Sequence, residues 1–157
     1  MPDGPRYDED FYAWTRYQAE VLRALRTDDN RFDRENVAEE IESSGNSQRD
    51  AARSHVPRII EHLLKMEYSP AADPRYGWMR SIVEARATLG DLLSATLRRD
   101  LEATLPKLYR DARQAALLSL LEYGEGDAAA ALPPACGYTL DDILRDDWYI
   151  EPQEATK

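Results

Sequence analysis

Residues 33–68 read DRENVAEEIESSGNSQRDAARSHVPRIIEHLLKMEY and hold the densest apolar periodicity of the chain together with both of its histidines. Asp33 suits a helix N-cap, because its carboxylate can accept a hydrogen bond from an amide of the first turn. Glu35 lies in that turn, where the helix dipole favours negative charge. Val37, Glu40, Ile41 and Ser44 follow at three- and four-residue spacing and are expected to share a face. The rhythm resumes with Ala52, His55, Val56, Ile59, His62, Leu63 and Met66. Between the halves lies Ser43-Ser44-Gly45-Asn46-Ser47, a run of poor helix formers. The stretch is therefore either one helix of about 50 Å, at roughly 1.5 Å per residue, or two helices divided by a C-terminal cap at Gly45. The register carries across through Ser44 and Gln48, which favours the continuous helix and makes Gly45 a place where another helix comes close. Pro57 predicts a kink, since it removes a backbone donor and crowds the preceding turn.

On the N-terminal side, residues 1–7 read as a short mobile lead. A first helix is expected near residues 8–26, capped by Asp8, with Phe11, Trp14, Gln18, Val21, Leu22 and Leu25 on its apolar face. Thr27-Asp28-Asp29-Asn30 is a polar break. On the C-terminal side, two prolines make residues 69–74 a loop. A third helix runs near residues 76–93 with Trp78, Ile82, Ala85, Leu89 and Leu92 as its stripe. Residues 97–105 read as a short helical piece. Pro106 then suits the first turn of the next helix, where a missing amide is harmless. That helix is expected to bury Leu105, Leu108, Tyr109, Ala112, Ala116 and Leu120 and to end at Gly124-Glu125-Gly126-Asp127. Residues 128–134 read as a linker-like loop. Thr139 caps a last short helix, with Asp142 placed to complete a capping box, and Trp148 and Tyr149 are expected to pin the C-terminal segment. Residues 151–157 should be frayed. No stretch alternates apolar and polar residues over strand length. The expected fold is all-α: a single domain over 1–157, a helical bundle of four main helices and one or two short ones around a long central helix.

The composition narrows the function classes. The chain has 157 residues, 43% of them hydrophobic and 32% charged, which suits a globular domain with a real core. Its formal net charge of -10 disfavours nucleic acid as a partner, because binding phosphate backbones needs clustered Lys and Arg. The one basic cluster, Arg98-Arg99 with Lys107 and Arg110, is diluted by Asp100, Glu102 and Asp111 and reads as a solvated face. Cys136 is alone, so nothing calls for an oxidising compartment. No apolar run has the length of a membrane span, and Met1-Pro2-Asp3-Gly4-Pro5 lacks the pattern of a signal peptide. A cytoplasmic location, no membrane and no cofactor are expected.

Some of these stretches, taken in order, resemble a known family. Asp10-Phe11-Tyr12-Ala13-Trp14, Glu35-Asn36-Val37-Ala38-Glu39-Glu40-Ile41-Glu42-Ser43, Glu61-His62-Leu63-Leu64-Lys65, Tyr109-Arg110-Asp111-Ala112-Arg113 and Pro133-Pro134-Ala135-Cys136, followed by Tyr138-Thr139-Leu140-Asp141-Asp142-Ile143-Leu144, are similar to domain-of-unknown-function family twenty-nine. The resemblance spans about residues 7–152. It implies an all-helical bacterial protein of a kind widespread in cyanobacteria, and it implies no activity. This chain carries Gly137-Tyr138 where the family pattern has a single aromatic residue such as Trp.

Candidate chemistry rests on a few groups. Glu40 and His62 read as polar residues on apolar faces, and such groups can ligate a metal or act as a general base. With Glu39, and with Asp111 as a further acid, they are the candidates for a metal-dependent or acid–base enzyme. In a continuous helix, however, Glu40 and His62 stand about 33 Å apart at roughly 1.5 Å per residue; only a hairpin at Gly45 would join them. The bland reading, a hydrogen-bonded core His and a Glu40 paired with Arg113, outweighs the catalytic one. Tyr109 and Arg113 share a face and could together hold a carboxylate or phosphate. Trp14 and Trp78 read as core-facing and could instead line a ligand pocket. There is no His-Glu-x-x-His spacing, phosphate-binding glycine loop or serine elbow. The leading expectation is a helical protein-interaction module, binding a protein partner or forming a homo-oligomer. An enzyme comes second, and a regulator of a basic partner or nucleic acid third.

Overall fold

A computed structural model describes residues 3–147 of the protein. Its helices are α1 (Phe11–Ala24), α2 (Arg34–Tyr68), α3 (Arg75–Leu92), α4 (Ala95–Glu122), α5 (Gly126–Ala131) and α6 (Leu140–Leu144). The architecture is thus the expected all-α one, with four long helices and two short ones among the described residues. The chain folds into two compact units, Met1–Ala52 with Leu92–Asp100, and Arg53–Asp91 with Leu101–Lys157. α2 is unbroken at Gly45 and at Pro57. The expected anchors Trp148 and Tyr149 lie outside the described residues.

In the first unit the contact between α1 and α2 is built on small residues. Ala38, Gly45 and Ala52, spaced by seven, form the buried line along α2. Gly45 is where α1 comes close: a methyl group on its Cα would stand 2.0 Å from Thr15 Oγ1. Thr15 is itself fully buried, and its hydroxyl donates to Tyr12 O at 2.7 Å. The buried face of α1 is therefore Tyr12, Thr15 and Ala19, one position off the expected stripe. Phe11 and Trp14 are only half-buried, and Tyr7 packs edge-on against both rings. Val21 and Leu25 are exposed. Large apolar residues misplace this face because the close approach at Gly45 takes the small Thr15, with Tyr12 the one large residue on it.

Asp10, not Asp8, caps α1. One Asp10 oxygen accepts from Ala13 N at 3.0 Å and the other from Thr96 N at 3.2 Å, so one carboxylate serves the first turns of α1 and α4. Burial would raise its pKa, but the hydrogen bonds from Ala13, Thr96 and Ser94 outweigh that and hold it below the usual carboxylate range. Asp8 instead pairs with Arg6 at 3.1 Å. Asp33 caps α2 as expected, accepting from Asn36 N and, more closely, from Asn36 Nδ2 at 2.7 Å.

The second unit is built on large aliphatics. Val56, Ile59, Ile60, Leu63, Leu64 and Met66 of α2 are buried, as are Ile82 and Leu89 of α3 and Leu101, Leu108, Tyr109 and Leu120 of α4. α4 does not restart at Pro106; it runs straight through it. An interior proline costs about 3 kcal/mol. Leu101 before it and Leu108 after it are both buried, at about 1.5–3 kcal/mol each, so the continuous register wins. Leu105 is half-buried, less than expected. α4 ends at Gly124, whose φ of 74° permits a Schellman turn: Glu125 N bonds Leu120 O at 2.8 Å and Gly124 N bonds Leu121 O at 3.1 Å. The expected loop at 128–134 starts instead as α5, because four consecutive alanines are the best helix formers available.

Arginines close four other helix ends. Arg34 donates to Leu25 O after α1, and Arg75 donates to Met66 O of α2 at 2.7 Å. Arg113 of α4 donates to Leu132 O and Pro133 O just beyond α5. Arg86 of α3, buried at 4% exposure, donates to Ile143 O at 2.8 Å and Asp142 O at 3.2 Å in α6. Each guanidinium meets carbonyls in or just beyond the last turn of a helix, where positive charge is favoured. α6 also carries the expected capping box between Thr139 and Asp142.

Candidate functional site

The second unit holds an open-sided cleft of about 820 Å³. The loop between α2 and α3 gives it Ala72, Asp73 and Pro74, α3 gives Trp78, and the end of α4 gives Leu120 and Tyr123. Its floor is Lys65, a lysine only 6% exposed. The Lys65 ammonium stands 5.4 Å from the Trp78 ring centroid and 3.2 Å from Glu61 one turn back, so its charge is met by a π-face and a carboxylate. Glu125 closes one side, and both of its oxygens lie 2.9 Å from Ser69 Oγ. Ser69 is buried and also accepts from Ala71 N, so the carboxylate is held by a fixed hydroxyl. Asp73 and Tyr123 are exposed at the rim, Tyr123 at 76%. Two aromatic walls, an already neutralised cation and two carboxylates can bind an organic group. They present no activated nucleophile.

A second polar cluster fastens the segment after α5. Tyr109 hydroxyl donates to Pro133 O at 2.6 Å, beside the Arg113 bonds to the same carbonyl. Tyr138 hydroxyl donates to Glu67 at 2.7 Å, and Cys136 Sγ lies 3.3 Å from Tyr138 O. Burial pushes Tyr109 up to about 12, with Cys136 adding to the rise and Arg113 opposing it. Burial and then the Glu67 hydrogen bond raise Tyr138 strongly, and burial raises the Cys136 thiol. All three stay protonated at neutral pH, which suits a clip and leaves Cys136 a poor nucleophile. Tyr138, the residue that departs from the family pattern, is thus a hydrogen-bonded anchor.

Of the residues singled out from the sequence, Trp78 lines the cleft. Tyr109 and Arg113 do meet, but on backbone carbonyls: Arg113 donates to Leu132 O and Pro133 O, and not to the Glu40 expected from the sequence, which is exposed. Glu39 and Glu40 are exposed, because the buried line of α2 passes through Ala38 and not through Val37 and Glu40. His62 is partly buried, with its Nδ1 lacking a hydrogen-bond partner. Its pKa is lowered to about 4 by burial, then by Lys65 and Arg58, against an opposing pull from Glu61. Since α2 is unbroken, the hairpin that would join Glu40 to His62 is absent. Trp14 packs with Tyr7 and Phe11. Asp111 pairs with Lys107 at 3.1 Å. Among the described residues, no group of three or more His, Cys, Asp and Glu side chains is placed to hold a metal. The sequence reading missed Lys65 and Arg86. Both had a signal, a long cation set inside an apolar stripe: Lys65 between Leu64 and Met66, and Arg86 four residues after Ile82 and three before Leu89.

The profile of the family described as "Domain of unknown function DUF29" matches residues 6–149. The chain belongs to that family. The DUF29 chain is also similar to an α-helical protein of unknown function from Rhodospirillum rubrum, known from a crystal structure, with a TM-score of 0.83, 28% identity and 92% of each chain covered. No curated protein matches it. Neither likeness specifies an activity. Among the described residues, no helix is long and apolar enough to cross a membrane.

Proposed function

We propose that this DUF29 protein is a cytoplasmic bacterial module that works by binding a segment of another protein in the cleft of its second unit. The observation that carries this reading is the cleft itself: about 820 Å³ walled by Trp78, Leu120 and a largely exposed Tyr123. Clefts with aromatic walls and a few fixed polar groups are where soluble domains take ligands, and aromatic residues dominate the energetic centres of protein interfaces. The cytoplasmic placement is supported by the lone cysteine, which leaves the chain without an internal disulfide.

A photo-crosslinking amino acid at Tyr123 tests the reading in the source cells. A discrete heavier adduct is expected, and it should vanish when Ala72→Trp fills the cleft from its exposed rim. An adduct with the mass of two chains makes the partner a second copy. Absence of any adduct, or an adduct indifferent to Ala72→Trp, overturns the reading.

A further inference from the structure

We propose that the group taken by the cleft is an arginine side chain of the partner segment, its guanidinium held by Glu125 and Asp73 and laid against the Tyr123 ring. This rests on the protein-binding reading above and adds the chemistry of recognition. The argument begins with the charges that line the cleft. Lys65 is its cation, and Glu61 at 3.2 Å already pairs with it. Asp73 and Glu125 then remain as uncompensated carboxylates, in a chain whose formal net charge is -10. An anionic ligand would meet this field unfavourably, and a cation favourably.

Geometry then selects among cations. Glu125 is preset: Ser69 Oγ stands 2.9 Å from each of its oxygens, and Ser69 is buried. Ser69 takes the front of that carboxylate, so a guanidinium meets Glu125 through one N–H at an outer lone pair and Asp73 through another, and its planar, rigidly spaced donors can make both bonds while its face stacks on a ring. Trp78 already has Lys65 over its ring at 5.4 Å, whereas Tyr123 is 76% exposed and offers an open face. The apolar stem of an arginine would lie along Leu120 and Pro74, both of which line the cleft.

The test uses the full-length protein and two small probes, N-acetyl-arginine methylamide and its citrulline counterpart. Citrulline keeps the shape and removes the charge. The readout is the saturable NMR shift of the Trp78 indole N–H, assigned by its loss in Trp78→Phe. The arginine probe is expected to bind at least 10-fold more tightly than the citrulline probe. Asp73→Asn with Tyr123→Ala, both at exposed positions, should weaken it at least 10-fold, while Glu39→Gln, which removes one charge in the other unit, should change it less than 2-fold. Equal binding of the two probes, equal effects of the two sets of variants, or no arginine binding each overturns the arginine proposal. If the Tyr123 adduct of the preceding section persists alongside such a result, protein binding at the cleft stands without arginine. If the adduct is absent too, both readings fall.

Discussion

One helix, α2, is packed by opposite means in its two parts. From Arg34 to Ala52 its buried line is Ala38, Gly45 and Ala52; from Arg53 to Tyr68 it buries Val56, Ile59, Ile60, Leu63, Leu64 and Met66. In the first part the neighbour comes to the backbone, and the contact is defined by side chains that are absent. In the second the contact is defined by side-chain volume. The two should fail in opposite directions, the first when atoms are added and the second when they are removed.

Removal in the second unit should have the largest effect. Leu63 is fully buried, so Leu63→Ala is expected to destabilise by about 2–5 kcal/mol through lost transfer energy and a residual cavity. A urea titration followed by circular dichroism measures it. A loss below 1 kcal/mol would mean that the large-residue core collapses around the gap, and the contrast with the first unit would be lost.

Addition in the first unit comes next. Gly45→Ala gains about 1 kcal/mol of helix propensity, but its methyl would sit 2.0 Å from Thr15 Oγ1 and 3.0 Å from Thr15 Cβ. Net destabilisation of about 1–3 kcal/mol is expected. Thr15→Ala in the same chain should recover part of that, because it removes the nearer atom. An additive double variant would show that Thr15 is not what Gly45 accommodates.

This contrast also explains what was legible in the sequence. The large-residue half of α2 is legible from periodicity, since Val56, Ile59, Leu63 and Met66 announce their face, although His55 and His62 in the same stripe are only partly buried. The small-residue half was read one position off, because Val37 and Ile41 outweighed Ala38 in an apolar pattern although Ala38 is the buried one. That slip turned Glu40 inward and suggested a bridge to Arg113. On α1 the same preference for large residues over Thr15 and Ala19 puts Trp14 in the core. Gly45 nonetheless announces a close approach, because a glycine within an unbroken register has few other reasons to be there. The cleft was legible only through Trp78. Its floor and sides come from Lys65, Glu125 and the 72–74 loop, far apart in the chain, and local spacing carries no record of which loop closes over which helix end.

Acid should act on the second unit through His62. Its folded pKa of about 4 lies below the ordinary value of 6.5. The unfolded chain therefore binds the proton first, so the contribution is full above about pH 6.5 and is lost as pH falls from there toward 4. Discounted for partial exposure, the loss is about 1–2 kcal/mol. His62→Gln should flatten the stability profile over that window. An unchanged slope would place the acid sensitivity elsewhere.

The smallest effect sharpens the comparison most, because it changes the sign of the same substitution. Gly90 also lies inside a helix, α3, but a methyl on its Cα would meet nothing within 4 Å. Gly90→Ala should therefore stabilise by about 0.5–1 kcal/mol through propensity alone. The pair separates two explanations for Gly45. If both alanine variants destabilise, glycine serves α2 and α3 through backbone freedom and the close approach is incidental. If Gly90→Ala stabilises while Gly45→Ala destabilises, the cost at Gly45 is the Thr15 contact, and the first unit is held together by the space that glycine leaves.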